Sequence, residues 1–293
     1  ATTEIYTLSL HDALPIFIAA DVRGAVAGAV LLGGFVGWQR RAPDPMLNVA
    51  FFRDRRFVGA VAGVVLITFG SAGALFLLTM QLQFVGGHDP LAAGLRMMPF
   101  ALSVVVFNAT GCAARGIRVL GLPLAVLGGM ALLAAGLALV AHLAVGGYGR
   151  MLVALLLMGA GCALANPAIV EAVVSSIPTA DAGTGAGIEG TMTELGSSLG
   201  VATLGALMQA RFVALAPAVA AGAGSLPAAL AAAEDPTEQA AVLDAFAAAL
   251  RGSQLVGAAA VFLGGCLTAL LLYRAGEPQD RVAAPGTPAG TTG

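Results

Sequence analysis

The 293-residue sequence predicts an all-α integral membrane protein that folds as a bundle of helices. Hydrophobic residues make up 58% of the chain and charged residues only 10%, whereas soluble domains carry roughly 25% charged residues. A water-soluble fold of this length cannot hide so much apolar surface in one core. In addition, the apolar residues are gathered into runs of about 20 residues, the length that crosses the hydrocarbon core of a bilayer.

Seven such runs are predicted to span the membrane. Their approximate bounds are 17–38, 57–84, 91–113, 120–142, 151–177, 184–213 and 253–273, and together they define a membrane domain over residues 17–275. Cys112, Cys162 and Cys266 each lie inside an apolar run. Their odd number and wide spacing predict packing residues rather than a disulfide framework or a metal site. We expect neither a metal nor a cofactor.

Three segments are predicted to lie outside the spans. Residues 1–16 are polar and lack the features of a signal peptide, so we interpret them as an artefactual leader. Residues 215–250 form a long loop in which Asp235–Glu238 (DPTE) reads as a helix start. Val242, Phe246 and Leu250 then recur at helical spacing, which predicts an amphipathic helix on the membrane surface. Residues 276–293, rich in Pro, Gly and Thr, predict a disordered tail.

The distribution of arginine predicts the orientation of the bundle. All 14 basic residues are Arg, and nine of them fall between the first two spans, between the third and fourth spans, or after the seventh. Because cytoplasmic loops carry the excess of basic residues, these loops and the C-terminus are predicted to be cytoplasmic. The protein is therefore expected in the cell membrane as a multi-pass chain, and no basic patch suggests nucleic acid as a partner.

Three segments occur in an order typical of one transporter family. They are Asp44–Leu47 (DPML) followed by Phe51–Phe57 (FFRDRRF), Asp89–Pro99 (DPLAAGLRMMP), and Pro178 and Asp181–Gly183 leading to Glu194–Ala202 (ELGSSLGVA). This set resembles the fourteen-helix drug:proton antiporters of the major facilitator superfamily. The resemblance covers about residues 39–275 and implies that the seven spans correspond to helices 8 to 14.

That resemblance implies a function and a missing partner. It implies the C-terminal half of a proton-coupled multidrug exporter, which moves hydrophobic, cationic compounds by alternating access in exchange for protons. The N-terminal half of the transporter would then lie outside this sequence, and the chain alone would not transport. Two alternatives stay open: an exporter of the same fold for a sugar, peptide or anion, and a non-transporting membrane scaffold.

Acidic residues inside the spans are the first candidates for chemistry, because ionisable groups in a bilayer are costly and are usually functional. Glu171 lies in the fifth span, and Glu189 and Glu194 lie in the sixth. Desolvation favours the protonated form of a carboxyl group, which suits a proton carrier. Ile188–Gly196 (IEGTMTELG) resembles the thirteenth helix of the cation-exporting branch, which favours Glu189.

Each acid also has a structural interpretation. Glu189 and Glu171 could be charges at the membrane interface, and Glu194 could hold a hydrogen bond to a neighbouring helix. Because Glu189 and Glu194 are five residues apart, about 140° around a helix, they are not expected to share a face.

Polar residues and helix-disturbing residues inside the spans are further candidates. Asn108 and Asn166 are candidates for the substrate cavity, with interhelical hydrogen bonds as the alternative. Pro99 and Pro167 are candidates for helix kinks. Gly196 and Gly200 provide a small-residue face for close helix packing, with relative motion of the helices as a corollary.

Overall fold

The computed structural model describes residues 49–143, 147–178, 181–220 and 225–274, together with seven helical residues between 28 and 38. The leader 1–16, most of the first predicted span 17–38 and the tail 276–293 lie outside the described residues. The chain divides into two units at residues 50 and 51, and every long helix discussed below belongs to the second unit.

Eight α-helices follow a short 3₁₀ turn at Val49–Arg53. They are α1 (Arg55–Met80, continued by a π-helical turn at Gln81–Val85), α2 (Pro90–Ala109), α3 (Cys112–Leu120), α4 (Leu122–Leu143), α5 (Tyr148–Val174), α6 (Ala182–Leu215), α7 (Leu226–Ala232) and α8 (Pro236–Arg274). Six of them, namely α1 with its π turn, α2, α4, α5, α6 and α8, are long and apolar enough to cross a membrane. The described residues contain no strand. The predicted all-α membrane bundle is therefore confirmed.

Short polar signals set the ends of these helices. The carboxylate of Asp54 accepts a hydrogen bond from the Arg56 backbone N–H at 2.8 Å and caps α1. Asp89 caps α2 in the same way, with Pro90 as the first helical residue. α2 ends at Ala109, short of the predicted bound at 113, because Gly111 adopts a left-handed backbone with φ 70° and starts the separate helix α3.

The segment 215–250 differs from its predicted form. The helix does begin at Pro236, but it runs without interruption into the last span as the 39-residue α8. Val242, Phe246 and Leu250 are buried against the end of α6 and against α7 rather than lying on a lipid surface. At 1.5 Å per residue, α6 and α8 are about 51 and 58 Å long, so both extend beyond a hydrocarbon core of about 30 Å.

The bundle is organised around α1, which packs against α5, α6 and α8. α4 packs against α5 and α8, and α2 packs mainly against α5, to which the Ser103 hydroxyl donates a hydrogen bond at the Leu156 carbonyl (3.0 Å). Glycines make the closest approaches. Gly200 of α6 lies directly on the Phe69 carbonyl of α1, and a Cβ on Gly161 of α5 would be 2.5 Å from the Gly129 carbonyl of α4.

Gly200→Ala is expected to destabilise the bundle by about 1–3 kcal/mol, because the added methyl group meets backbone that cannot move aside. Gly190→Ala on the same helix is the matched control, since nothing lies within 4 Å of its Cβ position. It should be neutral or stabilising by about 0.5–1 kcal/mol. The midpoints of thermal unfolding in detergent micelles measure both effects. Equal midpoints for the two variants would show that the α1–α6 contact is not close-packed.

Candidate functional site

Helix α6 buries only one stripe of its surface. The helix packs mainly against α1 and α8, and its buried residues recur at intervals of three or four residues over most of its length: Gly185, Ile188, Gly196, Gly200, Leu204, Met208 and Phe212. The opposite side carries exposed small and polar residues, which we call the open face of α6: Gly187, Thr191, Glu194 and Ser198. Such a face is polar along a stretch that is long enough to lie inside a membrane.

Glu189 is half-buried on the packed side of α6. It precedes Gly196 by seven residues, which places it within about 20° of that glycine around the helix. The Thr193 hydroxyl, one turn further along, donates a hydrogen bond to Glu189 Oε1 at 3.3 Å. Glu189 is the eighth residue of α6 and so lies about 10 Å along the axis from the helix start.

Glu194 is exposed and belongs to the open face. It is about 160° away from Gly196 around the helix, so the two acids point to different sides of α6. Within the described ranges, Glu194 forms no hydrogen bond or ion pair. These residues therefore do not support the interpretation in which Glu194 holds a hydrogen bond to a neighbouring helix. It lies about 18 Å along the axis from the start of α6.

Glu171 lies in the last turn of α5 and is exposed. It lines a cavity of about 750 Å³ at the end of the bundle where α3 and α4 meet. Arg56, Arg118 and Tyr273 line the same cavity. Glu171 therefore lies among charged and polar side chains at a helix end.

The two asparagines and the two prolines are distributed over α2 and α5. The exposed Asn108 donates from Nδ2 to the Val104 carbonyl of its own helix at 2.9 Å. Asn166 is exposed on α5, and its neighbour Pro167 is half-buried inside that helix. Pro99 is likewise half-buried inside α2. Both helices continue through their proline, so neither proline ends a helix.

The structure does not join these candidates into one contact network. In the part of the chain that the structure describes, no hydrogen bond or ion pair links any two of the residues Glu171, Glu189, Glu194, Asn108 and Asn166. Over the same residues, no group of three or more His, Cys, Asp or Glu side chains could hold a metal ion. What the site offers is a pair of carboxyl groups on opposite sides of one membrane-length helix.

An amide pair between α1 and α8 joins two residues that were not among the candidates identified from the sequence. Gln254 of α8 is 1% exposed and donates from Nε2 to Gln81 Oε1 at 2.8 Å. Gln81 is the first residue of the π-helical turn, a geometry that recurs at functional positions in helices. Both glutamines were visible as polar residues inside predicted spans, which is the signal that could have identified them.

A double-mutant cycle tests the coupling between these amides. Gln254→Leu alone should destabilise the bundle because it removes the hydrogen-bond partner of the half-buried Gln81 amide. The double variant Gln81→Leu with Gln254→Leu should recover part of that loss. We expect a coupling free energy of about 0.6–1.7 kcal/mol, the range for hydrogen bonds between membrane helices. Additive effects on the unfolding midpoint would mean that the two side chains do not interact.

Known proteins of similar sequence are drug-resistance and export proteins. The chain is 30% identical over 176 residues to multidrug resistance protein Stp of Mycobacterium tuberculosis, which is 60% of this chain and 32% of that protein. It is 34% identical over 194 residues to the tetracenomycin C resistance and export protein of Streptomyces glaucescens, 64% of this chain and 35% of that protein. With methyl viologen resistance protein SmvA of Salmonella typhimurium it shares 33% identity over 194 residues, 64% of this chain and 38% of that protein.

These relatives confirm the resemblance to efflux proteins of the major facilitator type, and their names describe export and resistance rather than catalysis. No protein-family model matches the sequence. The chain spans only about a third of the length of the relatives it matches.

Proposed function

We propose that this chain forms the C-terminal half of a proton-coupled exporter of hydrophobic, cationic compounds. In this proposal its six described membrane helices correspond to the last six of a fourteen-helix transporter, and the C-terminus is cytoplasmic. The six membrane-length helices of the described residues support a half-transporter, and the matched segment is about a third of each relative.

The observation that carries the proposal is the pair of acids on α6. Charged groups in a membrane-spanning segment are costly and normally face a bundle interior or a water-filled cavity. Glu194 lies, together with Thr191 and Ser198, on a face that no helix covers among the residues that the structure describes. Contact between lipid tails and these polar side chains is unfavourable, so the open face of α6 requires contact with water or with another polypeptide.

In the proposed cycle the two acids have different tasks. Glu189 carries the proton: its half-buried carboxyl group is neutral when loaded from outside, and it becomes charged when it releases the proton to the cytoplasm. The Thr193 hydroxyl can donate a hydrogen bond to the ionised form. Glu194, on the open face, attracts the positively charged substrate. Alternating access then arises when this helical bundle and the N-terminal half rock about the site between them.

The decisive experiment uses the full-length coding sequence that contains this chain, expressed in cells that lack other drug exporters. Glu189→Gln should abolish efflux of a lipophilic cationic dye driven by a pH gradient, because an amide cannot carry the proton. Glu194→Gln should retain coupling but raise the dye concentration for half-maximal efflux at least about fivefold, since it removes one nearby charge.

Glu234→Gln is the matched control, because that acid is exposed between α7 and α8 and should not affect transport. Expression is compared on immunoblots. Full proton-driven efflux in Glu189→Gln would move the proton site away from this residue. A well-expressed wild type without efflux of cationic or neutral dyes would refute the exporter proposal itself.

A further inference from the structure

A second cavity lies at the end of the bundle opposite to Glu171. It has a volume of about 220 Å³ and lies between the end of α1, the first turns of α2, the end of α4 and the start of α5. Its polar lining comes from Gln81, His88, Arg96 and Tyr148, and its apolar lining includes Leu82, Val140 and Met151. We call it the Arg96 pocket.

Arg96 is held in a defined position in this pocket. Its guanidinium carbon lies 5.8 Å from the centroid of the Tyr148 ring, a cation–π distance. The Tyr148 hydroxyl donates in turn to the backbone carbonyl of Arg96 at 3.4 Å. The side chain is half-buried, and among the described residues no carboxylate pairs with it. A cation fixed in this way retains unused hydrogen-bond donors.

The permanent charge that lines the pocket is positive and belongs to Arg96. His88 also lines the pocket, and among the described residues no acidic side chain does. The nearest acid in sequence, Asp89, is engaged in capping α2, where it accepts a hydrogen bond from the Ala92 backbone N–H at 2.9 Å. Gln81 also lines the pocket, and its side-chain carbonyl oxygen already accepts a hydrogen bond from Gln254. The pocket therefore attracts an anion and has no group for a second, cationic end of a ligand.

We propose that the Arg96 pocket binds the phosphate of an anionic phospholipid from the leaflet at this end of the bundle. Arg96 follows Pro90 by six residues, about 9 Å along α2 from the helix start, and a long arginine side chain near the end of a membrane helix reaches toward the level of the lipid headgroups. The planar guanidinium matches a phosphate with two parallel hydrogen bonds. The apolar walls fit the glycerol and the first acyl carbons better than they fit a fully hydrated ion.

This inference depends on the bundle crossing a membrane and not on the transport activity proposed above. It gives the helices that form the pocket, α1, α2, α4 and α5, a shared ligand at one end. The lipid would link the π-helical end of α1 to the start of α5.

The test is native mass spectrometry of the full 293-residue chain purified in detergent, with phosphatidylglycerol or phosphatidylcholine added. The wild type should retain phosphatidylglycerol in preference to phosphatidylcholine. Arg96→Gln should lower that retention about tenfold, the effect of losing a charge-assisted pair of hydrogen bonds. Arg150→Gln is the matched control, because Arg150 is an exposed arginine at the same end of the bundle and does not line the pocket.

Two further measurements keep the result interpretable. Tyr148→Phe preserves the aromatic ring and should retain most of the lipid, and circular dichroism establishes that each variant is helical. Inorganic phosphate is added as a competitor to separate the two sources of a phosphate group. If millimolar phosphate displaces the lipid from the wild type but not from Arg96→Gln, the site binds a free anion and the proposal of a lipid ligand is wrong. Equal retention by wild type, Arg96→Gln and Arg150→Gln would overturn the site.

Discussion

Close approach of helix backbones is the constraint on which this bundle depends. Lipid tails are as apolar as the side chains of the helices, so association must come from contact between surfaces rather than from expulsion of water. Glycine at the crossing points permits that contact. Gly196 and Gly200 bring α6 onto the backbone of α1, and Gly129 and Gly161 do the same for α4 and α5. The remaining helices are arranged around these two contacts.

The same contacts determine where the polar groups of α6 can lie. Because Gly196 and Gly200 must face α1, the rotation of α6 about its axis is fixed. Glu189 then falls on the packed side of α6, and Glu194 falls on the far side. The positions of the two acids are therefore a consequence of small-residue packing two to eleven positions away. A larger residue at either glycine would move both carboxyl groups together.

The sequence predicted the class of fold and the approximate positions of the long helices, because apolar runs of membrane length have few alternatives. It did not predict that α8 would include Val242 and Phe246, since an amphipathic period is the same for a helix on lipid and for one packed on α6. The five-residue spacing of Glu189 and Glu194 predicted that they lie on different faces of α6. Which of the two is exposed depends on where α1 packs, and the spacing does not contain that information. The pairing of Gln81 with Gln254 joins residues 173 positions apart, and no local pattern contains that information.

The amide pair of Gln81 and Gln254 lies where the Arg96 pocket meets the interface between α1 and α8. Gln81 accepts a hydrogen bond from Gln254 of α8, and it also lines the Arg96 pocket. It does so from a π-helical turn, in which the backbone is wider than in an α-helix and side chains are rotated relative to the regular register. Gln81 therefore belongs both to the α1–α8 interface and to the lining of the pocket. That shared position makes the end of α1 the point through which the pocket and the α1–α8 interface are coupled.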